Sequence, residues 1–190
     1  MSDRKQTILD AALPLFVAQG YAGTTMADIR KASGATTGSI YHFFKGKSGI
    51  ATVLWQQANR AWLANTETLR TARTPQDMTT STVRGLLEWA TENRPLFLFF
   101  EDLRMRARSD PDLVLLRDEI ATTHKEAAAI YGEWVKRGAV RDIPWPVASA
   151  LIVGPAYDYL RKCAPADDHE EAIVLLCSQA WNAVRPTSEN

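Results

Sequence analysis

Apolar residues along this chain recur at intervals of three and four and almost never alternate, a pattern that predicts helices throughout and no convincing strand. Over about 4–19, Ile8, Ala11, Ala12, Leu15 and Phe16 make one apolar face, and Gly20 stops the run. Pro14 lies inside that stretch, where its missing N–H and its ring should kink the backbone. A short second helix is capped by Thr24 and Thr25, turns Met26, Ile29 and Ala32 or Ser33 inward, and ends at Gly34, the residue type that best supplies left-handed backbone at a helix C-terminus. After a tight turn, Thr36 caps a third helix whose Ile40, Phe43 and Phe44 are expected to face inward. A fourth begins near Lys47 and carries Ile50, Val53, Leu54, Ala58, Ala61, Trp62 and Leu69 at helical spacing, long enough to link a small N-terminal head to a larger body.

The body reads as five more helices. Thr74-Pro75 opens one with Val83, Leu86, Leu87 and Ala90, and Asn93-Arg94-Pro95 opens a short one from Leu96 to Arg108 whose Leu-Phe-Leu-Phe-Phe run, apolar all round, should be buried. Asp110-Pro111 starts a long helix that uses Leu113, Leu116, Ile120, Ala127, Tyr131 and Trp134 and closes with Lys136, Arg137 and Gly138, cations and glycine where the helix dipole and the backbone favour them. Past the Pro144-Trp145-Pro146 break come the last two helices, about 146–163 and 168–184, with Gly154-Pro155 expected to bend the first of them. The fold class expected is therefore all-α.

Two short helices pinned around a tight turn at residues 24–44 form a helix-turn-helix, a device that reads DNA by laying its second helix in the major groove. Thr36, Thr37 and Ser39 place small hydroxyls at the start of that second helix, where phosphates and base edges are met, and Gly38 lets the backbone approach closely. Charge supports the idea only through its distribution. The chain is neutral overall, with 22 basic and 22 acidic residues. Within residues 1–50, however, six basic residues (Arg4, Lys5, Arg30, Lys31, Lys45, Lys47) face three acidic ones (Asp3, Asp10, Asp28), which makes a basic head on an acidic body.

The segment Ala32-Ser33-Gly34 through Ile50, ASGATTGSIYHFFKGKSGI, resembles the helix-turn-helix signature of the TetR family of transcriptional regulators. The likeness is strong over roughly residues 4–55 and general beyond, with Phe43 standing where the family often has His. It implies a helix-turn-helix DNA-binding domain at 1–46 and an effector-binding and dimerisation domain at 47–190. It also implies that Tyr41 and His42 contact phosphate or bases, that Lys47 grips a backbone phosphate, and that no catalysis and no cofactor are involved. Thr25, Arg4 and Lys5 are further, weaker candidates at the DNA. The partners implied are a palindromic double-stranded operator, a second copy of the chain, and an unknown small, mainly apolar effector that releases a repressor from DNA.

For the dimer, Val147, Leu151, Tyr159 and Leu160 form an apolar face on one of the last two helices, and Ile173, Leu176, Cys177, Ala180, Trp181 and Val184 form one on the other. Two copies could bury them in a four-helix bundle, although packing against the chain's own body accounts for the same pattern. For the effector, the body concentrates large aromatics: Trp55, Trp62, Trp89, Phe97, Phe99, Phe100, Tyr131, Trp134 and Tyr157, with Arg104, His124, Glu88 and Glu92 as polar neighbours able to orient a ligand. Core filling explains such residues as often as a pocket does.

Other classes find little support. Cys163 and Cys177 are two, and widely spaced, and His42, His124 and His169 are scattered, so buried thiols are expected and no metal site. No glycine-rich phosphate loop or nucleophile motif suggests an enzyme. No signal peptide and no run of roughly 20 apolar residues appears, so no membrane partner and a cytoplasmic location are expected. The rival reading is a helical DNA-binding or protein-adaptor dimer without an effector.

Overall fold

The computed structural model describes residues 4–65, 74–164 and 168–187, leaving aside the side chains of 61–65. All of its regular structure is helical, with no strand among the described residues. In chain order, α1 is Arg4–Gly23, α2 Met26–Ser33, α3 Thr37–Phe43, α4 Lys47–Asn65, α5 Pro75–Glu92, α6 Arg94–Arg106, α7 Val114–Lys136, α8 Trp145–Lys162 and α9 Glu170–Val184, with a single 3-10 turn at Pro111–Leu113 before α7.

Local chemistry accounts for most of these boundaries. Thr74 caps α5 by accepting a hydrogen bond from the Asp77 amide at 3.1 Å, with Pro75 in the first turn, where its missing N–H costs nothing. Asp110 does the same for the 3-10 turn through the Asp112 amide at 2.9 Å. Gly138, with φ of 64°, ends α7, and the Ala139 amide reaches back to the Trp134 carbonyl at 2.9 Å to close the last turn. In α1 the departure from helical geometry is at Gly20, with φ of 72°, while Pro14 sits inside the same helix. The interruption at Gly20 falls where the sequence pattern places the end of the first apolar run, at a residue that without Cβ enters that backbone region without strain.

The described chain forms two compact units, one of residues 1–59 and 95–121 and the other of 60–94 and 122–190. In the first, α1 packs on α2 and α3 around Ile8, Leu9, Ala12, Phe16, Ile29 and Ile40. The segment 95–121 adds Phe97, Phe99, Leu103, Leu113 and Leu116 to that unit's buried residues. Phe16 and Phe99 stack there with centroids 5.4 Å apart and planes 10° from parallel. The expectation that α6 is apolar on every side gives way to a one-sided helix: Phe97, Phe99, Phe100 and Leu103 are buried, whereas Leu98 and Met105 are 44% and 50% exposed. Its polar residues reveal the reason, for Glu101 is buried with its carboxylate held by Arg104 at 2.8 Å, so the inward stripe is not continuous hydrocarbon.

In the second unit α5 packs on α9 and α8, and α8 packs on α9. Val83, Leu87 and Ala90 of α5, Ala148, Ala156 and Leu160 of α8, and Ile173, Ala180 and Val184 of α9 form its core. The Arg94 guanidinium reaches the end of α8, donating to the Leu160 carbonyl at 2.8 Å. Tyr131 closes the corner between α7 and α8, its ring 5.6 Å from that of Trp145 and its hydroxyl donating to the Arg141 carbonyl at 2.8 Å.

Candidate nucleic-acid interface

The turn from α2 to α3 is built by three local devices. Thr25 and Asp28 form a reciprocal capping box: the Thr25 hydroxyl accepts from the Asp28 amide at 3.2 Å, and the Asp28 carboxylate accepts from the Thr25 amide at 3.0 Å. The Thr25 hydroxyl and amide hydrogen bonds hold the Asp28 carboxyl below its usual pKa. Gly34, with φ of 60°, ends α2, and Thr36 then caps α3 by accepting from the Ser39 amide at 3.2 Å. Thr24, expected to share the capping, is instead fully buried and donates to the Gly20 and Leu15 carbonyls at 2.9 and 3.2 Å, so Thr25 alone is the cap.

The inward side of α3 carries Ile40, 1% exposed, followed by Phe44, 3% exposed. Phe43, expected inward, is 37% exposed. The helix stops at Phe43, and Phe44 takes extended backbone with φ of −136° and ψ of 135°, which swings its side chain into the core beside Gly49 and leaves Phe43 outside. On the outer side Thr36, Thr37, Gly38, Tyr41 and His42 are exposed and Ser39 is half-buried; Tyr41 is 57% exposed, and the His42 and Phe43 rings meet edge to face at 4.8 Å. A Cβ built on Gly38 would meet nothing within 4 Å. Thr25, exposed at the start of α2, belongs to the same unit.

Arg4 and Lys47 have internal partners. The Arg4 guanidinium donates to the Gly34 carbonyl at 2.8 Å, stapling the start of α1 to the end of α2. Lys47 is half-buried, and its ammonium donates to the carbonyls of Tyr21 at 2.7 Å and Thr24 at 2.9 Å while lying 4.4 Å from the centre of the Tyr21 ring. Burial lowers the Lys47 pKa, against the opposing pull of Asp110 and Asp112. Tyr21 was invisible as a functional residue in the sequence. It is 5% exposed, its ring stacks on Phe16 at 5.9 Å, and burial pushes its hydroxyl up to about 12. The signal available was faint: an aromatic just after a helix-ending glycine, with partners at Phe16 and, 26 residues on, Lys47.

The expected dimer face of α9 is largely turned into its own chain. Ile173, Cys177 and Ala180 are 5%, 6% and 2% exposed, and the Cys177 thiol donates to the Thr80 carbonyl of α5 at 3.4 Å. Leu176, Trp181 and Tyr159 are half-buried, the last with its hydroxyl 2.8 Å from His169 Nδ1. The apolar side chains that remain outside are Val147 and Leu151 on α8, 49% and 40% exposed, and Val174 and Leu175 on α9, 50% and 55% exposed. The 0, 3, 4, 7 spacing identified an apolar face correctly, but that face is the one α5 covers.

The expected effector residues are distributed over both units. Phe97, Phe100 and Arg104 lie in the first, the two phenylalanines buried and Arg104 engaged with Glu101. Trp89, His124, Tyr131, Trp134 and Tyr157 lie in the second; Tyr131 is buried, Trp89, Trp134 and Tyr157 are half-buried, and His124 is exposed. Trp62 falls outside the described side chains. Among the described residues no cluster of His, Cys, Asp and Glu is arranged to hold a metal ion, and no helix is long and apolar enough to cross a membrane.

Residues 8–53 match the family described as "Bacterial regulatory proteins, tetR family". The HTH-type transcriptional regulator AcrR of Shigella flexneri is 44% identical over 54 residues, 28% of this chain and 25% of that protein. This chain thus spans only about a quarter of AcrR's length at that similarity. The HTH-type transcriptional regulator RutR of Escherichia coli O157:H7 is 24% identical over 143 residues, 75% of this chain and 67% of that protein. A tetR family transcription regulator from Shewanella sp. PV-4, described as putative, shares the fold with a TM-score of 0.76 at 20% identity, over 97% of this chain and all of the other.

Proposed function

We propose that this chain, whose residues 8–53 match the tetR family of bacterial regulatory proteins, is a DNA-binding transcriptional regulator of that family, a repressor that binds a palindromic operator as a homodimer. The observation that carries the reading is the outer face of α3. Its apolar residues Ile40 and Phe44 anchor it from behind, and hydroxyls, a bare glycine backbone and two exposed rings at Thr36, Thr37, Gly38, Ser39, Tyr41 and His42 are what remains outside. Short polar side chains at a helix N-terminus suit phosphate and base-edge contacts, and Thr25 at the start of α2 adds a second amide-rich end for the backbone.

One such head covers one half-site. Two are brought roughly 34 Å apart, about one DNA turn, by twofold pairing of the chain. The exposed Val147, Leu151, Val174 and Leu175 supply the apolar surface for that pairing on α8 and α9, helices already packed on one another, so two copies complete a four-helix bundle. In this scheme residues 1–46 read DNA, and 47–190 bind the second copy and a small, mainly apolar effector among the aromatics of the body. The effector acts by binding the DNA-incompetent spacing of the two heads more tightly than the competent one.

The test is a titration of fluorescent DNA from around the protein's own gene at several salt concentrations, with and without a panel of apolar metabolites. Expected are saturable binding that weakens steeply with salt through counterion release, and one compound whose affinity is lowered by operator by the same factor as it lowers operator affinity. Binding that is insensitive to salt, or absent, ends the regulator reading.

A further inference from the structure

Lys47 opens α4 at the edge of the proposed DNA-reading face, a place where a lysine invites a phosphate contact. Its geometry describes another task. An ammonium has three N–H donors, and here two are directed at the Tyr21 and Thr24 carbonyls at 2.7 and 2.9 Å, with the charge 4.4 Å from the Tyr21 ring centre. The Tyr21 carbonyl lies in the last turn of α1, among the acceptors that a helix terminus leaves unsatisfied, and the Thr24 carbonyl in the link before α2. Thr24, fully buried, closes the same junction through the Gly20 and Leu15 carbonyls, and Ser48, beside Lys47, bonds the Tyr21 hydroxyl. The start of α4 is thereby fastened to the α1–α2 junction at two consecutive residues.

We propose that Lys47 is a positioning residue of the reading head: its ammonium ties the start of α4 to the carbonyls at the α1–α2 junction and so fixes the angle at which α2 and α3 are presented, instead of giving its charge to a DNA phosphate. Moving the ammonium away to a phosphate would strip two backbone carbonyls of their donor and lift the charge off an aromatic face, which is what favours the internal site. Asp110 and Asp112, on the turn before α7, favour the charged form of Lys47 and oppose the effect of its burial.

This inference rests on the DNA-binding reading, and the experiment separates the two. Lys47→Met keeps the stem and removes the charge, and Lys47→Arg retains it. Full-length protein is titrated with DNA from around its own gene at a temperature where circular dichroism shows each variant fully folded. The expected result for Lys47→Met is at least about tenfold weaker binding with the slope of log K against log salt unchanged, and faster amide exchange at Tyr21–Thr25. A slope lower by about one, with exchange unaltered, assigns Lys47 to a phosphate and overturns the proposal. Unchanged affinity in the folded variant overturns it also, by making the clamp merely structural. Should Lys47→Met not fold, the wild-type protein decides: the Lys47 ammonium proton resonance, observed in the free chain, is to remain in place when DNA is added, and its displacement sinks the idea. Wild-type protein that fails to bind DNA at all removes the regulator reading instead.

Discussion

Phe99 of α6 lies flat against Phe16 of α1, centroids 5.4 Å apart and planes within 10°, although 83 positions separate them in the chain. Phe16 also stacks on Tyr21, whose ring carries the Lys47 ammonium, so one aromatic row runs from α6 through α1 to the first residue of α4. The N-terminal unit is consequently incomplete without residues 95–121.

The first prediction follows from that row. A fragment of residues 1–59 exposes the Phe16 face on which Phe99 stacks, and it is expected to show little cooperative thermal unfolding by circular dichroism. In the whole chain Phe99→Ala should cost about 3–5 kcal/mol in urea unfolding, the usual range for emptying an aromatic site in a core. A cooperatively folding 1–59 fragment would remove the dependence.

Gly38 separates folding from recognition. A methyl group there meets nothing within 4 Å, and alanine is favoured over glycine inside a helix, so Gly38→Ala should leave stability equal or raise it by up to about 1 kcal/mol. Operator affinity should fall about tenfold or more, roughly 1.4 kcal/mol, because the added methyl stands where the groove approaches. Equal affinity for the two proteins in a DNA titration would take Gly38 out of the contact surface.

Tyr21 makes an alkaline limit. Its folded pKa is raised to about 12 from 10.0, chiefly by burial, so the folded chain holds this proton more tightly than the unfolded one. The resulting stability is complete below pH 10 and is lost between pH 10 and about 12. Urea unfolding from pH 9 upward should therefore fall more steeply for the wild type than for Tyr21→Phe, and parallel curves would refute the assignment.

The pairing surface is tested by contrast. Leu175→Glu places a charge on a residue 55% exposed in the single chain, so it should leave helical circular dichroism intact while sedimentation velocity shows a monomer. Cys177→Asp, two residues on and 6% exposed, should instead unfold the chain, since a buried unpaired charge costs several kcal/mol. A Leu175→Glu protein that still sediments as a dimer moves the interface away from α9.

Features that depend on neighbours along the chain are readable from the order of residues. The helical periodicity, the Thr25, Thr36, Thr74 and Asp110 caps, the Gly34 and Gly138 stops and the helix-turn-helix at α2 and α3 rest on interactions spanning two to five residues, and all are legible in order of appearance. Tertiary structure decided which of several apolar faces meets which surface. Periodicity shows that α9 has an apolar stripe at Ile173, Cys177 and Ala180 but not that α5 covers it, leaving Val174 and Leu175 outside. It shows that Phe43 and Phe44 are both apolar but not that the chain straightens between them and selects only Phe44 for the core. The sequence offers Lys47 as a lysine for a DNA phosphate, and only the fold sets the Tyr21 and Thr24 carbonyls, 26 and 23 positions away, within reach of its ammonium. Such partners leave no periodic trace, because a hydrogen bond across the fold depends on where two backbones pass and not on the spacing of residues in either one.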